Sequence, residues 1–285
     1  MTGSPAYVED AGGCADVGVV AGLVLNPVRT PVTPSRSLDA PRPVAPTHAF
    51  ELDLNLPAYR LDAYDGGIRV LRFTVAVGMR RYRTPRGEYE ITSVDWNPWW
   101  IPPDRDWARN ERTTPPGPSN PMGRVKVNFL PLYFLHGTPA VQSLGHAASH
   151  GCVRMANQDA IALALHIHAV GTPALPHAVL DSLVADTSFT RLIFLEFPVP
   201  IRIRYDVAEV ADDTLFLYRD IYSLDRRSEQ QRALDALSGA GIVEELVYRD
   251  QLRKVLRSTS RRPLRIPLGD LLNPGPSDAG RAVRK

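Results

Sequence analysis

Lysine is nearly missing from this chain: Lys126, Lys254 and Lys285 stand against thirty arginines. The bias by itself assigns no function. A net charge of +2 and a pI near 8.6 are too balanced to point to nucleic acid. Cysteine is scarcer still, with only Cys14 and Cys152. Without a CxxC pair, a structural zinc site of the usual kind is excluded. Cys14 falls in a stretch without periodicity, which argues against a structural disulfide and makes Cys152 in effect a lone thiol. Long apolar runs are missing too, and none reaches the ~20 residues of a membrane-spanning helix. The run VGVVAGLVL (17–25) has the length of a signal-peptide core. Glu9, Asp10 and Asp16 precede it and no basic residue does, which is the wrong charge order for an export signal.

What is present is the make-up of a soluble globular protein, 44% hydrophobic and 22% charged over 285 residues. Residues 1–47 carry seven prolines and no sustained periodicity, and are expected to be a leader or disordered linker. Order begins at AFELDLNLPAYRLDAYDGGIRVLRFTVAVG (49–78). Alternating apolar positions on both sides of the DGG turn at 65–67 predict a hairpin. GEYEITSV (87–94) reads as a further strand, and RVKVNFLPLYFLHG (124–137) as one or two. Between them, residues 97–123 hold seven prolines and three of the four tryptophans, a composition for a long ordered loop over a cleft. NQDAIALALHIHAV (157–170) has helical character, with Asn157 as cap and Gly171 as stop. Strand character returns up to residue 222, and SEQQRALDALSGAG and EELVYRDQLRKVLRST suggest two closing helices.

The chemistry gathers around ASHGCVRMAN (147–156). A thiol just ahead of a helix feels the positive end of the dipole, which favours the thiolate. A nucleophilic Cys152 needs a base within reach, and His136 beside Gly137 is a sound position for a fixed imidazole. Gly151 lets backbone approach a substrate carbonyl, so the amides of Gly151 and Cys152 could hold an oxyanion, while Arg154 offers a fork for a carboxylate. His136, His150 and Cys152 together are the ligands a zinc alternative would use. His166 and His168, two apart, fall on different helical faces and do not suggest a shared metal.

The span HGTPAVQSLGHAASHGCVRMAN (136–157) resembles the signature of the L,D-transpeptidases of the YkuD/ErfK family, a histidine-glycine pair followed by Ser-His-Gly-Cys. His136 precedes Ser149 by thirteen positions and Cys152 by sixteen, as that pattern asks. RTPRGEYEIT resembles the family's strand with the TPxG motif, and NPWWIPP and GPSNPMG its proline-rich loop, so the likeness covers about residues 50–175. It implies a mainly β fold: a YkuD-like β-sandwich with one helix after the cysteine motif and a helical C-terminal tail. The expected domains are a catalytic domain at 48–225 (core 50–181) and a helical extension at 226–285.

The resemblance further implies Cys152 as nucleophile, His136 as base and the Gly137 carbonyl as its orienting group. Ser149, His150 and Gly151 would shape the pocket. Arg154, Trp99 and Trp100 would touch the donor peptide, and His146 has no role. The implied reaction is acyl transfer between peptidoglycan stem peptides through a cysteine thioester, without metal or cofactor. Carbapenem-type β-lactams would be inhibitors, and the compartment would be periplasmic or extracytoplasmic. An L,D-carboxypeptidase or a non-catalytic cell-wall binding module are the alternatives.

Overall fold

The computed structural model describes residues 50–258 and 262–272. The expected leader at 1–47, with Cys14 and the apolar run 17–25, lies outside the described residues.

The predicted hairpin opens the fold. β1 (Phe50–Asn55) pairs antiparallel with β2 (Arg60–Asp65), which turns back into β3 (Ile68–Thr74). Gly66 and Gly67 make that turn at φ of 57° and 79°, a region that penalises a Cβ. The sequence alternation becomes burial, with Leu61, Ala63 and Phe73 turned to the core. β4 (Val77–Gly78) and β5 (Gly87–Trp96) follow. Residues 97–123 form no ladder beyond a single bridge between Trp100 and Thr114, as their prolines require. The segment 124–137 resolves into two strands, β6 (Val125–Leu130) and β7 (Tyr133–Thr138), joined through Leu132 at φ 68°.

β8 (Ala147–Ser149) and β9 (Val153–Ala156) bracket the cysteine motif, and α1 (Asn157–Gly171) follows. α1 ends at Gly171 as expected, but Asn157 is not its cap. Its Oδ1 instead accepts from the Arg124 N–H at 3.0 Å, a tertiary bond that local sequence does not announce. α2 (His177–Ala185), which no periodicity signalled, leads to the long β10 (Arg191–Arg204).

Eight strands make one mixed sheet in the order β3-β2-β1-β10-β5-β6-β7-β9. Within this sheet the β1–β10 and β7–β9 pairs are parallel and the rest antiparallel. The β4–β8 ladder stands apart from it. α1 packs on β10, β7 and β6 and buries Leu163, Ala164 and Ile167 in a core shared with Leu52, Leu54, Val94 and Trp96. Fully burying a leucine or isoleucine contributes ~1.5–3 kcal/mol, so Leu163 and Ile167 hold α1 where it is.

A second, smaller core lies toward the C-terminus. β11 (Ala208–Ala211), β12 (Thr214–Leu217) and β13 (Leu264–Pro267) form an antiparallel sheet. α3 (Glu229–Gly239) and α4 (Arg249–Ser258) close over it, enclosing Leu215, Leu217, Leu237, Leu252 and Ile266. Both expected helices are present, and Ser228 caps α3 by accepting from the Gln231 N–H at 3.2 Å. The extension is nonetheless not only helical. β13 pairs with β12, so this unit shares its sheet with strands expected to belong to the catalytic domain.

Candidate active site

Parallel pairing of β7 with β9 returns the two halves of the cysteine motif to one place. Leu135 stands opposite Val153 and His136 opposite Arg154, so Cys152 arrives at the mouth of the sheet beside Phe134. The Phe134 N–H donates to Cys152 Sγ at 3.4 Å. His136 and Cys152 are both buried and line a single cavity of about 180 Å³. Ser149, His150 and Arg154 line it from the same motif, while Trp100, Trp107, Glu111 and Met122 come from the proline-rich loop. Among the described residues no hydrogen bond joins His136 to Cys152.

His136 is fixed by its neighbour, because its Nδ1–H donates to the Gly137 carbonyl at 2.7 Å. A carbonyl can only accept, so the proton of the neutral ring sits on Nδ1 and Nε2 keeps its lone pair. Burial pushes the imidazole pKa down to about 4 against the pull of the Gly137 carbonyl. The charges of Arg154 and Lys126 act in the same direction as burial. A Cβ at position 137 would stand 2.2 Å from Asn157 Oδ1, so a larger residue there requires that side chain to shift.

The loop carrying the sulfur is tied internally. Ser149 Oγ accepts from the Gly151 N–H at 3.1 Å and donates to the Cys152 carbonyl. The Gly151 amide is therefore already used, which corrects the expectation that it stabilises an oxyanion. Gly151 instead supplies a φ of 118° and a close approach, for a Cβ on Gly78 would lie 3.0 Å from its Cα. Buried Thr84 braces the same point: its Oγ1 accepts from the Gly78 N–H at 2.9 Å and donates to the Gly151 carbonyl at 2.8 Å. The Thr84 N–H donates to Tyr222 Oη, which donates in turn to the Gly78 carbonyl at 2.8 Å.

Two expectations about Cys152 are corrected. The four residues of β9 separate it from α1, and a helix dipole fades within its first turn. Nor is it a lone thiol here. Its sulfur is disulfide-bonded, so reduction must precede any thiol chemistry.

The aromatic wall also differs from expectation. Trp100 is buried and lines the cavity, but Trp99 is 51% exposed and does not. Its expected place is taken by Trp107, stacked face to face on His150 with centroids 3.9 Å apart at 3°. Tyr82 packs on the His150 ring at 4.7 Å. Burial lowers the His150 pKa, with Arg154 in the same sense and Glu111 against it. Trp107, Glu111, Asn157 and Thr84 were all missed from sequence. Only Thr84 carried a signal, as part of TPRG. His146 is exposed, with its Nδ1 3.0 Å from the Leu144 carbonyl, and takes no part in the cavity. Among the described residues no cluster of histidine, cysteine, aspartate and glutamate is arranged to hold a metal ion.

In this mainly β domain a parallel strand pair thus delivers a cysteine and a histidine of fixed tautomer to one cavity, the residue types that nucleophilic chemistry at a carbonyl requires. Over residues 50–175 the chain matches the family model of the L,D-transpeptidase catalytic domain, and that segment belongs to the YkuD family. A probable L,D-transpeptidase ErfK/SrfK of Salmonella typhimurium is 32% identical over 130 residues, 42% of this chain and 41% of that protein. A probable L,D-transpeptidase YbiS of Escherichia coli is 49% identical over 115 residues, 37% of this chain and 38% of that one. The chain thus spans about two fifths of the length of these relatives. The crystal structure of L,D-transpeptidase 3 from Mycobacterium tuberculosis aligns with 55% of this chain and 61% of its own, at 12% identity and TM-score 0.36. That likeness is too slight to bear on function.

Proposed function

We propose that this protein is a peptidoglycan L,D-transpeptidase acting outside the cytoplasmic membrane. The observation that carries the reading is the convergence of His136 and Cys152 on one cavity beside Arg154, within the segment matched to the family. The reduced Cys152 thiolate attacks the carbonyl of the third stem residue, a diamino acid, and the terminal D-alanine leaves as the thioester forms. His136, neutral at physiological pH, moves the proton between sulfur and leaving amine. Arg154 takes the carboxylate of the donor, the Gly137 carbonyl keeps the imidazole oriented, and Ser149, His150 and Gly151 hold the loop in shape. An acceptor amine then releases the acyl group as a crosslink. No step requires a metal or an organic cofactor. Carbapenem-type β-lactams, whose strained amide presents a comparable carbonyl, are expected to acylate the same sulfur.

The test is intact mass spectrometry of the reduced protein incubated with a carbapenem. The wild type should gain one adduct and Cys152→Ala none. His136→Ala should fold and acylate roughly 10²-fold more slowly, the scale of a lost general base. An adduct that persists on Cys152→Ala overturns the assignment of the nucleophile.

A further inference from the structure

The cavity carries two opposite charges that the protein leaves uncompensated. Arg154, half-buried on β9 two residues from Cys152, forms no ion pair or side-chain hydrogen bond among the described residues. Glu111, on the covering loop, likewise forms none with its carboxylate, although its backbone N–H donates to Ala108. Half-buried guanidinium groups are normally paired, and elsewhere in this protein Arg60, Arg72 and Arg204 all are. The His150 ring feels both charges, Arg154 more strongly than Glu111. Trp100 and Trp107, which line the same cavity in a stack with His150, each bury an indole N–H that has no acceptor among the described residues. Orphaned donors and unpaired charges in one cavity describe a surface waiting for a ligand that brings acceptors, an anion and a cation.

The two charges are not equivalent in position. Arg154 sits in the wall, in register with His136, on the side where the acyl donor must lie. Glu111 is exposed on the loop and meets the cavity at its rim. Once a donor peptide is bound to the sulfur, the rim is the side that stays open to a second molecule.

We propose that Glu111 is the recognition point for the acceptor amine, so that this residue sets the choice between crosslinking and hydrolysis of the thioester. The inference rests on the transpeptidase reading and extends it to the second substrate. An amine arrives as an ammonium, and a carboxylate at the rim raises its local concentration over that of neutral water. The ammonium loses one proton to solvent, and the lone pair of the resulting amine attacks the thioester carbonyl carbon. The C–S bond breaks with its electron pair on sulfur as the C–N bond is kept. The nitrogen, made strongly acidic by bonding to the carbonyl carbon, passes its second proton to His136 as the amide forms, leaving the amide, a Cys152 thiolate, an imidazolium and the one proton already in solvent. Hydrolysis differs only in that water supplies the nucleophile.

The experiment uses the full reduced chain with a disaccharide-tetrapeptide, whose diamino residue is both donor carbonyl and acceptor amine. Mass spectrometry gives the ratio of crosslinked dimer to trimmed tripeptide. Glu111→Gln, an isosteric change at an exposed position, should lower that ratio about tenfold, equivalent to about 1.4 kcal/mol. Carbapenem acylation should stay within about twofold of the wild type, and Glu111→Asp should keep most of the ratio. Acetylating the acceptor amine should make wild type and Glu111→Gln alike. An unchanged ratio in Glu111→Gln, or an acylation rate that falls in step with the ratio, overturns the proposal, as does a wild type that yields tripeptide only. A wild type that is not acylated and releases no D-alanine removes the transpeptidase reading itself.

Discussion

Thr84 shows how much of this site depends on residues that touch no substrate. Its hydroxyl joins the Gly78 N–H to the Gly151 carbonyl, and both partners are buried. Thr84→Val keeps the shape but leaves a buried donor and a buried acceptor unmet, at ~1–3 kcal/mol each. Acylation of Cys152 should slow by up to about 10²-fold as the loop loses its brace, and Thr84→Ser should recover most of the rate. A valine variant acylating at the wild-type rate would show that the brace is dispensable. His136 gives a pH prediction at the same scale. Its pKa is held at about 4 in the folded protein against an ordinary 6.5, so the native state resists protonation. The unfolded chain binds the proton first on acidification. The resulting stability is therefore fully present above pH 6.5 and is lost as pH falls toward 4. The imidazole resonances of His136 should stay unshifted from pH 8 to about 5, whereas titration near 6.5 would contradict the burial that sets the value. The catalytic pair was legible because a fixed spacing in sequence marks it. Thr84, Trp107 and Asn157 act through contacts between distant segments, which leave no period to read.

Among the elements, the loop at 97–123 depends on one side chain. Asn120 is fully buried, and its Nδ2 lies within 3.1 Å of the carbonyls of Pro98, Thr114 and Pro115. Its Oδ1 accepts from the Met122 N–H at 2.8 Å. In a segment where prolines remove backbone donors, this amide stands in for a ladder. Asn120→Ala should destabilise the loop by roughly 3 kcal/mol, the sum of a few net hydrogen bonds. Trypsin should then cut faster at the exposed Arg105, Arg109 and Arg112, while Cys152 remains alkylatable after reduction. Equal cleavage rates in wild type and variant would mean that Asn120 does not organise the loop. The strands were legible because pleating imposes a period of two. β2, β3, β5 and the β6–β7 segment showed it, whereas β1 was not separated from the hairpin and the break at Pro131 and Leu132 left 124–137 open as one strand or two. α2 and β13 were not legible. α2 is short and buries only Leu180 and Leu183, and β13 is four residues set between prolines, recruited by its pairing with β12.

At the scale of the molecule, the two cores meet through a buried ionic cluster rather than through apolar packing alone. Glu209 on β11 accepts from Arg60 Nη1 of β2 at 2.6 Å and from Arg204 Nη2 of β10 at 2.9 Å, and Tyr218 Oη donates to it as well. Arg60 also reaches Asp62, and Arg204 reaches Asp53, so the cluster extends into the edge of the large sheet. Only 11% of the Glu209 side chain is exposed. Burial by itself would raise its pKa. The hydrogen bonds from Arg60 and Tyr218 and the charges of Arg60 and Arg204 outweigh burial and hold it at about 2, below the usual 4.5. Because the folded value lies below the unfolded one, this stability is present above pH 4.5 and is lost as pH falls toward 2. It amounts to about 3 kcal/mol from ~1.36 kcal/mol per pKa unit. Glu209→Gln keeps the shape and removes the charge that both arginines face. The variant should be less stable by about 3 kcal/mol at pH 7, at the lower end for a broken buried pair because Asp62 and Asp53 still hold the guanidinium groups. Urea unfolding of wild type and variant across pH 7 to 2 should therefore show a gap that narrows steadily below pH 4.5. A gap that stays constant down to pH 2 would place the stabilisation elsewhere than in this carboxylate, and with it the joint between the two cores.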